Sequence, residues 1–292
     1  MSAWVLGVIG GSGVYDIAGL EDARWTAVES AFGEPSDEML IGTLGTVKLV
    51  FLPRHGRGHR LPPTHVNARA NIDALKRAGC TDILSLSAVG SLREDLAPGD
   101  FVVVDQFVDR TFGREKSFFG PGMVAHVSMA HPVCPRLSGL AVQAGRSAGA
   151  RTVEGGCYLA MEGPQFSTKA ESNLYRSWNC DVIGMTNMPE AKLAREAELP
   201  YASVAMVTDY DCWREEEAHV EMTHIVEVMH GNAQKARDLV RHLALALPVT
   251  RAPSPIDTAL DGALVTAPSA RDAALVKQLS AIIGRALKSD PP

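Results

Sequence analysis

The chain has 292 residues, 46% of them hydrophobic, with a formal net charge of −6. That is enough apolar material for one large core or two modest domains, and too much for a disordered chain. The mild acidity argues against a nucleic-acid binder, which needs a basic face, and no apolar run reaches the roughly 18 residues of a membrane span.

The opening MSAWVLGVIGGSG has no basic n-region and reads as a first strand, Trp4–Ile9, ending in a glycine turn rather than as a signal peptide. Met39–Leu44 and Thr46–Leu52 form a hairpin pattern around Gly45. Val66–Ala78 has helical spacing and stops at Gly79. Strands are expected at Asp82–Ser87, Asp100–Val104, Gly156–Met161, Asp181–Met185 and Leu199–Thr208. Helices are expected at Pro135–Gly149, Thr168–Trp178, Pro189–Ala197 and, as one long element, Ala218–Leu247. Beyond the proline-rich PVTRAPSP stretch, at least one further helix falls near Ser269–Leu287. Alternating strands and helices indicate an α/β fold with a mostly parallel or mixed sheet. The five cysteines, Cys80, Cys134, Cys157, Cys180 and Cys212, contain no C-x-x-C pair, which suits a reduced cytoplasmic protein better than a zinc or redox motif.

Several chemistry-bearing residues fall just after expected strands. Gly10-Gly11-Ser12-Gly13 can present backbone amides to an anion. It fails the dinucleotide pattern because Asp16 takes the third glycine's place, and a plain tight turn explains it as well. Arg54-His55-Gly56-Arg57-Gly58-His59-Arg60 is a basic loop in an acidic chain. Arginine supplies a planar fork for phosphate oxygens, although a solvated loop is the plainer alternative. Ser87-Ala88-Val89-Gly90-Ser91 and Met185-Thr186-Asn187 offer small hydroxyls at strand ends. Ser167 or Thr168 can cap the following helix, with Glu171 as capping-box partner of Thr168. Finally, VTDYDCW sets Asp209 and Asp211 two residues apart after the longest apolar strand. Asp211 as an N-cap explains one acid and leaves the other; the pair also suits an acid and base, or acceptors for the amino group and ring nitrogen of a base. Strand ends of an α/β sheet can bring such residues to one crevice.

Taken in order, GVIGGSGVYD, PRHGRGHRLPPTHVNARANIDALKRAGC, SLREDLAPGDFVVVDQFVDRT, EGPQFSTKAES, VIGMTNMPEAKLAREAELPYASVAM and VTDYDCW resemble the 5′-methylthioadenosine phosphorylase branch of the purine nucleoside phosphorylase family, from about Val5 to Leu247. The resemblance implies a single-domain mixed β-sheet flanked by helices. Residues 1–250 would form the phosphorylase domain and 251–292 a C-terminal extension of it. It implies phosphorolysis of 5′-methylthioadenosine to adenine and 5-methylthioribose 1-phosphate in methionine and purine salvage, by a cytoplasmic homotrimer without metal or organic cofactor. Carried over by position, phosphate would meet Ser12, Arg54, His55, Ser87, Ala88 and Thr186. Met185 would underlie the ribose, and Phe166, Ser167, Tyr210 and the two acids would surround the base. Asp209 would serve N7 and Asp211 the 6-amino group. Met222, Ile225 and Val226 would line a methylthio pocket, and His126 would reach a neighbouring subunit's site. Trp213 is left to packing. The rivals are a phosphorylase of 6-oxopurine nucleosides, a water-using nucleosidase and a silent nucleoside-binding protein.

Overall fold

The structure, a computed structural model, describes residues 3–11, 13–214 and 222–289, with the side chains of residues 222–227 and 289 outside that description. Its centre is a branched sheet. β1 (Val5–Gly10) lies between β4 (Val47–Pro53) and β5 (Asp82–Ser91), parallel to both. β3 (Met39–Leu44) and β2 (Glu21–Thr26) extend the β4 side as antiparallel strands. β5 carries two branches. Its length pairs in parallel with β11 (Tyr201–Asp209), which continues to β6 (Phe101–Val104) and β8 (Thr152–Glu154). Its last residues, Gly90 and Ser91, pair with β10 (Val182–Gly184), followed by β9 (Cys157–Ala160) and β7 (Gln106–Asp109).

The strand period of two divides the core. Leu6, Val8, Leu49, Phe51, Leu84 and Leu86 face one cluster, covered by α2 (Pro135–Ser147) and the C-terminal half of α5 (Met222–Ala246). Ile9, Val50, Leu52, Ile83 and Val207 face the other, covered by α1 (Ala68–Arg77) and α4 (Asn187–Glu196). Central strands covered on both faces read as near-continuous apolar runs, which is why they stand out in the sequence. α3 (Lys169–Ser177) begins with the expected capping box between Thr168 and Glu171.

The differences from the sequence expectations follow from local physics. β5 does not stop at Ser87 but runs to Ser91, so Ser87 and Ala88 lie within a strand rather than after it. β2, β7 and β8 went unanticipated: β2 is a polar, exposed edge strand, EDARWT, and the other two have four residues or fewer. Their pairing partners hold them, not an apolar pattern. The tail helix is broken into α6 (Ala273–Gln278), α7 (Ser280–Ile283) and α8 (Ala286–Ser289). Leu279, Ile282 and Ile283 are buried in the α1/α4 cluster, so packing onto the body takes precedence over a single straight helix. Arg251, at the tail's start, is bound to Asp82 and Asp257.

Candidate active site

Arg54 directly follows β4 and turns inward; it is 2% exposed. Its Nε donates to Glu190 Oε2 at 2.9 Å and its Nη2 to Glu190 Oε1 at 3.1 Å. Nη1 donates to the Leu86 carbonyl at 2.8 Å and Nη2 to Ser85 Oγ at 2.6 Å. The fork expected to hold phosphate is therefore occupied by Glu190. Of five guanidinium N–H groups, one on Nη1 has no acceptor among the described residues. Glu190 Oε1 also accepts from Ser85 Oγ at 2.6 Å and from the Tyr201 hydroxyl at 2.8 Å. Asn187 Nδ2 donates in turn to Tyr201 at 3.0 Å. A buried charge pair with every neighbour satisfied is rigid, and loss of either partner would strand a charge in the core.

His55 is stacked on His59, ring centroids 4.3 Å apart. Burial, then the Arg54 charge beside it, pushes its imidazole down to about 4. It is neutral near pH 7. Nδ1 lies 2.8 Å from the Leu61 carbonyl, which can only accept. The proton is thus on Nδ1, and Nε2 is left as an acceptor. The rest of the basic loop does other work. Arg57 pairs with Asp37 and Glu38 and lies over the Trp25 ring, while Arg60 donates to the Ser36 carbonyl at 2.5 Å.

Tyr158 gathers two distant pieces of the sheet. Its hydroxyl is 3.2 Å from Ser87 Oγ on β5 and 3.4 Å from the Thr186 amide after β10. It reaches them by crossing Gly184, where a Cβ would come within 2.0 Å of the phenol oxygen. Glycine is the residue that permits this crossing. Thr186 stands at the N-cap position of α4 without capping it, and among the described residues its hydroxyl has only Asn187 Oδ1 as a hydrogen-bond partner, at 3.4 Å. Ala88 is exposed beside Ser87.

The two acids of VTDYDCW meet through a turn, not along a strand. Asp209 ends β11, and its Oδ1 accepts the Asp211 amide at 2.8 Å. This aspartate turn holds Asp211 in the left-handed region, φ 52°. Asp211 does not cap the short 3₁₀ turn it opens. Both acids lie over Gly90 of β5, where a Cβ would sit 3.0 Å from Asp209 Oδ1 and 3.3 Å from the Asp211 Cβ. Thr208 Oγ1 is 2.7 Å from Asp209 Oδ2 and 3.1 Å from the Val89 carbonyl. One hydroxyl hydrogen serves one of them at a time. Thr208 can therefore donate to an ionised Asp209, or accept from a protonated one while donating to Val89. Asp211 is 7% exposed, and its Oδ2 has no hydrogen-bond partner among the described residues. Burial raises its carboxyl, the Ser172 hydroxyl beside it opposes that, and the Asp209 charge adds to the rise. A buried carboxylate oxygen without a partner is costly, so a donor is expected at it.

The remaining candidates are placed as follows. Ser167 is buried beside the acids, its carbonyl 3.2 Å from Cys212 Sγ. Met185 is half-buried, and Phe166 is 65% exposed. Tyr210 packs edge-on to Trp213, whose indole donates to the Ser91 carbonyl at 2.8 Å. His126 is exposed on a surface segment bonded to Ala263, outside this network of contacts. Ser12 and the side chains of Met222, Ile225 and Val226 lie outside the described residues. Sequence reasoning missed Tyr158, Glu190, Arg114 and Glu162. Tyr158 lies inside an apolar run and Glu190 inside a buried helix, while Arg114 and Glu162 lie in irregular loops, where nothing in the pattern marks them out.

With this geometry in view, residues 5–245 match the family described as the Phosphorylase superfamily. The chain belongs to that family. The S-methyl-5′-thioadenosine phosphorylase of Cereibacter sphaeroides is 62% identical over 286 residues, 97% of this chain and 99% of the relative. The protein of that name from Rhodospirillum rubrum is 60% identical over 97% of each chain. Among solved structures, a methylthioadenosine phosphorylase from an antarctic soil metagenomic library superposes with a TM-score of 0.91 at 44% identity, covering 97% of this chain and 99% of its own. The match along nearly the whole chain accounts for the shared fold.

Proposed function

We propose that the protein is an S-methyl-5′-thioadenosine phosphorylase, a pentosyltransferase that joins inorganic phosphate to the methylthioribosyl group and releases adenine. The observation that carries this reading is the acid pair over Gly90. One carboxylate has a neighbour able to donate or accept, and the other has a buried oxygen awaiting a donor. Adenine offers the matching pattern, a basic N7 and a 6-amino donor. A 6-oxopurine would place a carbonyl against Asp211, two acceptors facing each other. The relatives at 60% and 62% identity carry the same activity in their names.

In this mechanism phosphate sits among the Thr186 and Ser87 hydroxyls, the Ala88 amide, the free Arg54 Nη1–H and, by family position, Ser12. Neutral His55 accepts a P–O–H hydrogen at Nε2. Phosphate oxygen forms the bond to the anomeric carbon as the bond to N9 breaks, through an oxocarbenium-like state. Asp209 passes its proton to N7, so that adenine leaves neutral, and Asp211 accepts from the 6-amino group. Met185 lies under the ribose, Phe166 and Ser167 beside the base with Tyr210 behind it, and Met222, Ile225 and Val226 around the methylthio group. The reaction draws on phosphate as co-substrate and on no metal or organic cofactor.

The protein acts as a cytoplasmic homotrimer in methionine and purine salvage. No described helix is long and apolar enough to cross a membrane. Val124 and Val265 are exposed and bonded to one another beside His126, which gives an apolar strip for a neighbouring subunit's site. Residues 1–250 work as the phosphorylase domain, with 251–292 packed onto it through Arg251 and Leu279. The test is phosphate-dependent release of adenine from 5′-methylthioadenosine; release without phosphate would indicate a nucleosidase instead.

A further inference from the structure

The side chain of Arg114 is 5% exposed, and its guanidinium is surrounded by acceptors. Nε donates to Glu162 Oε1 at 2.8 Å, and Nη1 donates to the carbonyls of Met185 and Met188 at 2.5 and 2.9 Å. Nη2 donates to the Glu162 carbonyl at 2.6 Å, with the Met161 carbonyl at 3.5 Å. The Glu162 carboxylate is as fully committed. Oε1 also accepts from Thr64 Oγ1 at 2.9 Å, and Oε2 accepts the amides of Phe112 and Gly113 at 2.5 and 2.8 Å. Burial opposes ionisation of Glu162, but these donors outweigh it and hold the carboxyl down at about 2. The ion pair therefore ties together three pieces of the site. They are the end of β9, the turn Met185–Met188 that contains Thr186, and the 3₁₀ turn Pro63–His65 that follows the Arg54–His55 loop.

Arg114 lines a small void of about 10 Å³ together with Arg54, Thr186 and Glu190. Its donors are spent on carbonyls and one carboxylate, so it is not itself a phosphate ligand. What it governs is backbone position. Its two Nη1 bonds bracket Thr186, holding the carbonyls one residue before and two residues after it. A hydroxyl that does not cap its helix needs some other constraint to point one way.

We propose that the Arg114–Glu162 pair is a positioning clamp that sets phosphate affinity by fixing Thr186 against the Arg54–His55 loop. Pre-set donors lose less freedom when the anion arrives, and a displacement of about 1 Å can cost about a hundredfold in rate. The inference rests on Thr186 being a phosphate ligand. Lysine at position 114 keeps the charge, but a compact ammonium cannot span the Met185, Met188 and Glu162 acceptors together.

The experiment compares wild type, Arg114→Lys, Thr186→Val and the double variant. Phosphate is varied at saturating 5′-methylthioadenosine, with thermal melting and equilibrium adenine binding measured alongside. Arg114→Lys is expected to raise the KM for phosphate about tenfold or more, with adenine affinity changed by less than about threefold. Thr186→Val is expected to raise it comparably, and the double variant to add little, because the clamp acts through Thr186. A lowered Tm with an unchanged phosphate KM in Arg114→Lys would reduce the pair to fold support and overturn the proposal. An unchanged phosphate KM in Thr186→Val would instead overturn the assignment of Thr186, and the clamp with it.

Discussion

The two ends of the proposed site are built on opposite rules. At the phosphate end the side chains expected to meet the anion are held in place from within the chain. Arg54 is locked by Glu190, Ser85 and Leu86, and Tyr158 links Ser87 to Thr186. At the base end a buried Asp211 oxygen has no hydrogen-bond partner among the described residues, and Asp209 has a hydroxyl that can serve either protonation state. The difference teaches how binding and chemistry divide. A phosphate site gains from rigidity fixed before the ligand arrives. A site that must move a proton needs a group whose charge can change, and so cannot be saturated in one state.

The comparison breaks most sharply at Asp209. Asp209→Asn keeps the shape and removes the proton, and is expected to lower kcat on 5′-methylthioadenosine by about 10²-fold or more; near-normal turnover would remove Asp209 from proton delivery. Tyr158→Phe deletes the bridge between Ser87 and Thr186 without opening a cavity. It should cost up to about tenfold in kcat/KM for phosphate, with base affinity unchanged; a loss confined to the base would contradict the division of labour. Met222→Ser is expected to shift the preference between methylthioadenosine and adenosine several-fold toward adenosine, since a methylene-sized apolar contact is worth about 1 kcal/mol. An unmoved ratio puts the methylthio pocket elsewhere.

The smallest effect concerns pH. His55 in the folded chain lies below its ordinary value of 6.5, at about 4. Its neutral form therefore contributes stability in full above pH 6.5, and that contribution is lost as pH falls toward 4. His55→Gln should flatten this part of the acid limb in urea unfolding measured at several pH values. An identical slope would mean that His55 is not buried neutral.

The sequence made the fold legible where physics imposes a period. The runs that became β1, β4, β5 and β11 are covered on both faces, and α1 ends at the glycine expected to end it. Edge strands such as Glu21–Thr26 carry no such mark, because a partner strand rather than a core face holds them. In the site, Arg54, Ser87, Thr186, Asp209 and Asp211 were visible as polar groups interrupting apolar strands. Their supports were not. Tyr158 looks like any core aromatic until its hydroxyl is seen crossing Gly184. Glu190 looks like a helix-surface acid until α4 is seen to be buried over most of its length. The i, i+2 spacing of the two acids was open to a capping explanation; the aspartate turn over Gly90 resolves it, because the contact depends on which strand lies beneath.

The most direct test is a product assay. The protein is mixed with 5′-methylthioadenosine, and separately with methylthioinosine and inosine, each with and without inorganic phosphate, and free base is measured. The account predicts adenine release that requires phosphate, with the 6-oxo substrates far slower. Base release without phosphate, or a preference for the 6-oxopurines, would contradict it: the first at the Arg54 and Thr186 end, the second at Asp209 and Asp211.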